Sequence, residues 1–304
     1  EAIAAAHRRL GTVAILPTLI TDAPEVMDRA AEAALAARGR AGLLGLHLEG
    51  PHISLARRGT HAARFVRPLD DRTLAVVRRL REGGVPVLLT LAPEATRPGQ
   101  IAALAAMGAI VSLGHSDATA AQARAALEEG ARTFTHLFNA MSPLGSREPG
   151  AVGAALHDPE CWCGLIVDGR HVHPATLQLA LRAKRLDRFM LVTDAMPCVG
   201  AAKDSFLLQG RRIQVRDGAC VDEAGVLCGS AIDMATAVRN AMDLLGLPLE
   251  QAVAMASAHP ARFLGLDGER GRIAPGCRAD LVVADERMNV KQAWIGGEPP
   301  CAAC

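Results

Sequence analysis

The chain has 304 residues, half of them hydrophobic and 21% charged, with a formal net charge of +1. That length and hydrophobicity allow one large α/β domain or two smaller ones, and they exclude a disordered polymer. The near-zero charge gives no basis for binding nucleic acid or an anionic membrane, and no apolar stretch is long enough to span a bilayer.

Lysine is scarce (Lys184, Lys203 and Lys291), tyrosine is absent and alanine abundant, a bias that reads as genomic composition. Eight cysteines are scattered. Cys161 and Cys163 flank a Trp, and Cys301 and Cys304 form a C-x-x-C, but neither pair has a partner pair at zinc-finger spacing. Reduced thiols in a cytoplasmic protein are expected, in keeping with the lack of a signal peptide.

Read in order, the pattern is strand, loop, helix. A helix over 2–10 leads into a strand over 12–19. Further strands are expected over 43–49, 86–91, 109–115, 133–137, 164–167 and 190–194. Helices are expected between them over 24–37, 69–81, 117–129 and 174–185, the third opening at Ser116 or Asp117 and stopping at Gly130. The texture then changes. Short strands over 206–208, 212–216 and 219–221, with turns at Gln209-Gly210 and Asp217-Gly218, form a β-hairpin excursion near 205–222. Helices over 232–245 and 249–264 follow, then strand-like segments at 271–273, 279–284 and 290–295.

Ionisable residues stand at the ends of the apolar runs: Glu49, His115, His136 and Asp194. Imidazole and carboxylate suit Zn²⁺ or Fe²⁺, and a further carboxylate can carry protons. Repeated strand–helix units imply a parallel sheet with right-handed crossovers. The first strand–helix turn lacks a glycine-rich phosphate fingerprint, and the reactive residue types come from many strands. Both points favour a (β/α)8 TIM barrel over an open doubly wound sheet. Seven strands are countable where a barrel needs eight, so the first strand is expected upstream of Glu1 and the chain to be a truncated form of a longer one. The division expected is 1–268 for the barrel and 269–304 for the C-terminal part of a small β-domain.

Seven motifs occur in order: His47-Leu48-Glu49-Gly50-Pro51, Gly59-Thr60-His61, Gly114-His115-Ser116, Thr135 to Met141, Arg147-Glu148-Pro149-Gly150, Asp168-Gly169-Arg170-His171 and Val192-Thr193-Asp194-Ala195. Together the set resembles the N-acetylglucosamine-6-phosphate deacetylases of the amidohydrolase superfamily. The G-x-I-x-P-G-x-x-A-D spacing from Gly271 to Asp280 is similar to the superfamily's closing β-segment. The resemblance implies a metal-dependent (β/α)8 barrel with a small β-sandwich, a homodimer, and hydrolysis of the N-acetyl group of the sugar phosphate to glucosamine 6-phosphate and acetate.

It further implies that Glu49, His115 and His136 hold one divalent metal, Zn²⁺ or else Fe²⁺, with a second site left open. A lone histidine is more often a satisfied core residue; three matches at strand ends outweigh that reading. Asp194 matches the acid/base, with a helix N-cap as the plainer alternative. His61 matches the group that polarises the substrate carbonyl, and Thr60 lies beside it in the substrate contacts. Arg147, His171, Asn139 and Ala140 match the phosphate contacts, the last two through backbone N–H groups. Leu227 and Gly229 flank Cys228 in a substrate-contacting loop. His47, placed on the opposite strand face from Glu49, and His52, His157, His173 and His259 are assigned to structure or surface, with His52 the leading exception. Two alternatives remain: another amidohydrolase acting on a cyclic or unphosphorylated amide, and an inactive remnant that only binds sugar phosphate.

Overall fold

The computed structural model describes residues 1–216 and 218–299. The turn resting on Asp217 and the Cys301/Cys304 pair lie outside the described residues. The chain divides into two compact units, Ile15–Cys163 and Glu1–Ala14 together with Gly164–Cys304. Helix α1 (Ala2–Arg9) opens the second of these.

In the unit Ile15–Cys163, strands and helices alternate: β1 (Thr18–Ile20), α2 (Pro24–Ala36), β2 (Leu46–Glu49), α3 (Asp71–Glu82), β3 (Val87–Leu91), α4 (Gln100–Ala106), β4 (Ile110–Leu113), α5 (Ala120–Glu128), β5 (Thr133–Phe134) and α6 (Gly150–His157). Strand β6 (Trp162–Leu165) runs out of this unit along the chain. Neighbouring strands pair in parallel and in sequence order. The strands are short because most are buried on both faces: β3, β4 and β6 are almost wholly inaccessible, as parallel strands between helix layers must be. The register sets Glu49, Thr90, Ser112 and Thr133 abreast across β2 to β5. The C-terminal ends of the strands therefore finish together.

In the other unit, α7 (Pro174–Ala183) precedes β7 (Phe189–Leu191). The N–H of Val192 donates to Leu165 O at 3.0 Å, and the parallel strand order among the described residues is β1 to β7 in sequence. Next come β8 (Ser205–Leu208), β9 (Arg211–Arg216), β10 (Ala219–Val221) and β11 (Leu227–Ser230), an antiparallel sheet. Helices α8 (Met234–Leu245), α9 (Leu249–Ala256) and α10 (Ala258–Phe263) and the antiparallel pair β12 (Leu281–Ala284) and β13 (Val290–Trp294) complete it.

Several expectations need correction. The segment read as a loop around Leu227 and Gly229 is β11, pairing with β10. The single helix over 249–264 breaks at Ser257 (φ −135°, ψ −73°). Pro260 has no N–H to continue the ladder and sits in the first turn of α10, where none is needed. Helix α5 starts later than expected. Thr119 is its cap, in a reciprocal capping box with Gln122. Ser116 and Asp117 are engaged elsewhere, both donating to the Glu94 carboxylate. No strand forms at 271–273, where Ile273 is 90% exposed.

Candidate metal centre

Glu49 is the last residue of β2, while His115 and His136 each lie two residues past β4 and β5. Both histidines take left-handed backbone (φ 50° and 33°), uncommon for a residue with a Cβ and a mark of a functional turn. All three are buried. His136 Nε2 lies 3.0 Å from Glu49 Oε1 and 3.1 Å from His115 Nε2, and His115 Nε2 lies 3.3 Å from Glu49 Oε1. Burial by itself would raise the Glu49 carboxyl. The two imidazoles facing it win and hold it well below the usual carboxylate range.

The donor set fits a cation. His115 Nδ1 donates to the carbonyl of Arg57 at 2.9 Å. A carbonyl only accepts, so Nδ1 carries a hydrogen and Nε2 is the atom turned toward the Glu49 carboxylate. A nitrogen and a carboxylate oxygen this close need positive charge between them, which a proton or a bound cation supplies. The arrangement matches a metal-ligating histidine, whose other nitrogen is fixed by a carbonyl behind it. Donor atoms spaced in this way suit ligands about 2.0–2.2 Å from one shared ion.

His61 is different. Its ring centroid is 4.3 Å from that of His115, and donor atoms of Glu49, His61 and His115 lie within 4.8 Å of one another, so distance alone would admit it as a ligand. The Thr21 N–H, however, donates to His61 Nδ1 at 3.4 Å, and the Thr21 hydroxyl lies 2.7 Å from the same atom. Nδ1 is thus an acceptor, and the hydrogen of the neutral ring sits on Nε2. Burial, then the neighbouring His115, pushes the pKa of His61 down to about 3. It is a neutral hydrogen-bond donor throughout the physiological range.

Supporting residues carry no motif. Arg57 supplies its carbonyl to His115 and ties its guanidinium to Asp117 at 2.7 Å. His47 is half-buried, on the same face as Glu49, since residues two apart in a strand share a face. It bridges the hydroxyls of Thr18 (3.0 Å) and Thr90 (2.8 Å). Thr90 meets Thr135 at 2.7 Å, and Thr135 meets Ser112 at 2.5 Å. This hydroxyl chain braces the four strands from inside. His52, the leading exception among the unassigned histidines, has both nitrogens committed, to Arg67 O and the Thr73 hydroxyl, and is a packing residue.

The other expected site residues are placed unevenly. Thr60 is half-buried next to His61. The Asn139 N–H and side-chain amide both donate to His136 O, so Asn139 fixes the metal-side loop and its backbone N–H is already used. Ala140 has φ 49°, and its carbonyl accepts from Ser116. Arg147 is exposed in the loop before α6. In the other unit, Asp194 follows β7 with φ 50°, as His115 follows β4. His171 Nδ1 donates to Asp168 at 2.5 Å. Burial pushes the Asp168 carboxyl up, but hydrogen bonds from His171 and Arg170 bring it below its ordinary value. Leu227 is exposed, and Gly229 has φ 78°.

The amidohydrolase family profile matches residues 1–299. The chain belongs to the amidohydrolase family. That family is metal-dependent, and this member carries a Glu/His/His candidate site. It is 46% identical to the N-acetylgalactosamine-6-phosphate deacetylase of Shewanella sp. (strain ANA-3), over 96% of this chain and 74% of that one. Its fold is similar to the crystal structure of N-acetylglucosamine-6-phosphate deacetylase from Pasteurella multocida (TM-score 0.92, 36% identity, 97% of this chain and 78% of that one). It is also similar to the Mycobacterium smegmatis deacetylase in complex with N-acetyl-D-glucosamine-6-phosphate (TM-score 0.88, 34% identity, 98% of this chain and 79% of that one). The TIM-barrel-like α/β fold expected of the amidohydrolase is therefore present. No helix among the described residues is long and apolar enough to cross a membrane.

Proposed function

We propose that the protein hydrolyses the N-acetyl group of N-acetyl-D-glucosamine 6-phosphate, releasing D-glucosamine 6-phosphate and acetate, in amino-sugar catabolism. The observation that carries this is the buried Glu49–His115–His136 cradle beside a neutral, donating His61, in a chain similar throughout to amino-sugar-phosphate deacetylases. Glu49, His115 and His136 would hold one divalent cation, Zn²⁺ by the match of two imidazoles and a carboxylate, with Fe²⁺ next. When bound, the cation supplies Lewis acidity and makes water a nucleophile near neutral pH.

The chain's own residues do the rest. His61 Nε2–H donates to the acetyl oxygen as negative charge develops there, and Thr21 holds its tautomer. Asp194 takes the proton of the attacking water and delivers it to the amide nitrogen, which leaves only as a protonated amine. Arg147 offers the phosphate a guanidinium fork, with His171 and the Ala140 N–H as further contacts, while Asn139, whose own N–H is bonded to His136 O, shapes the turn that presents Ala140. Thr60, Leu227 and Gly229 line the sugar. We place the enzyme in the cytoplasm as a homodimer.

A second reading keeps the chemistry and changes one stereocentre. The identity of 46% to the Shewanella N-acetylgalactosamine-6-phosphate deacetylase exceeds the 36% to the Pasteurella enzyme, which favours the galacto epimer. Acetate release from the two phosphorylated epimers, side by side, decides. A higher kcat/KM for the gluco sugar supports the first reading, a higher value for the galacto sugar supports the second, and no release from either rejects both.

A further inference from the structure

We propose that Ser230 is the positioning residue for Asp194, clamping the backbone on both sides of that carboxylate-bearing residue; the proposal rests on the reading that Asp194 carries the proton. Asp194 sits past the end of β7 with φ 50°, a conformation that costs an L-residue with a Cβ and persists only where neighbours over-determine it. Strand β11 supplies those neighbours. The Ser230 hydroxyl donates to Thr193 O at 2.5 Å, and the Ser230 N–H donates to Asp194 O at 2.8 Å. The Met196 N–H returns a bond to Ser230 O at 3.0 Å, and Ala195 and Ser230 form a parallel bridge. Two consecutive carbonyls and the N–H two residues on are thus all held by one residue.

Ser230 is fully buried, and its oxygen also accepts from the Ile232 N–H at 3.3 Å, so its hydroxyl both donates and accepts within the fold. The approach needs glycine beside it. A Cβ on Gly229 would lie 2.8 Å from Asp194 O and 2.8 Å from Met196 Cγ. The clamp is itself anchored, because Ser230 pairs with Ala219 of β10 and Asp233 caps α8 three residues later. A merely structural serine would fill a polar gap anywhere. This one bonds the backbone at a residue held in a strained conformation.

The test is kinetics on the metal-loaded full chain with Ser230→Ala, the hydroxyl-retaining Ser230→Thr, and Asp194→Asn as control. Ser230→Ala should lower kcat roughly tenfold to a hundredfold, the scale expected for a misplaced catalytic group. KM for the sugar phosphate should stay within about twofold, bound metal per chain should not change, and Ser230→Thr should recover most of the rate. An unchanged kcat, a loss confined to KM, or a loss matched by lost metal overturns the proposal. Hydrogen exchange in the unaltered protein gives a reading free of variants: the Met196 amide should exchange as slowly as those of β7, and rapid exchange would overturn the clamp. If Asp194→Asn keeps turning over, the proton-carrier reading falls and this proposal with it. If Asp194→Asn is dead while Ser230→Ala is normal, only the positioning role falls.

Discussion

In the proposed reaction, Asp194 and Arg147 would make two different kinds of contribution. Proton delivery acts on the transition state alone, so Asp194→Asn should lower kcat by roughly 10²–10⁴-fold while leaving metal bound. Turnover above that range, with metal in place, would contradict its role. A phosphate contact acts equally on bound substrate and transition state. Arg147→Ala should therefore raise KM, on the order of tenfold or more, with kcat little changed. A steady-state comparison with the unphosphorylated sugar checks it, because a variant equally impaired on both substrates would show that Arg147 does not read the phosphate. What could be read at this scale was residue type at a strand end. Glu49, His115 and His136 were legible because short apolar runs terminate at them. Arg57 was not, since it serves His115 through a carbonyl that every residue possesses. Thr21 follows the end of β1 by one position, so the same strand-end logic could have found it.

Among the elements, all seven parallel strands were recoverable from apolar runs bounded by turn-forming residues, whereas their ends were not. Hydrophobicity continues past the last ladder bond: 133–137 reads as one run, yet β5 stops at Phe134 so that His136 can turn through φ 33°. Strand β11 was placed in a loop by the family resemblance, not by its residues; its pairing with β10 and its bonds to the Asp194 turn are tertiary facts that local propensity does not hold. Helix α5 was legible as a helix but not in its cap. Both Ser116 and Thr119 are good caps by type, and the choice fell to Thr119 because Glu94 occupies Ser116. Thr119→Ala should accordingly cost about 1 kcal/mol, read as a lower denaturant midpoint with unchanged slope, whereas Asp117→Ala should not disturb the cap. An unaltered midpoint for Thr119→Ala would remove the capping box from the account.

For the whole molecule, the buried histidines make stability depend on pH in a definite sense. His61 has a pKa of about 3 when folded against an ordinary value of 6.5, so between those values the unfolded chain binds the extra proton. Stability then falls as pH drops through that window, by about 1.4 kcal/mol per pH unit for this group alone. His47 and His52, both lowered by burial, act in the same direction. Glu49, held below its ordinary 4.5, contributes stability that is present above that value and is lost as pH falls through its folded pKa. The thermal midpoint of the chelated protein should thus decline steadily on acidification from neutrality, and a flat or rising midpoint between about pH 6.5 and 5 would contradict the burial of a neutral His61. Whether Glu49, His115 and His136 hold the cation on which deacetylation depends is read by titrating Zn²⁺ into the chelated protein while following acetate release from N-acetyl-D-glucosamine 6-phosphate and its galacto epimer. No acetate should be released without metal, and release should rise with bound metal for at least one epimer. Release that persists after chelation, or none at full metal occupancy, would contradict that dependence.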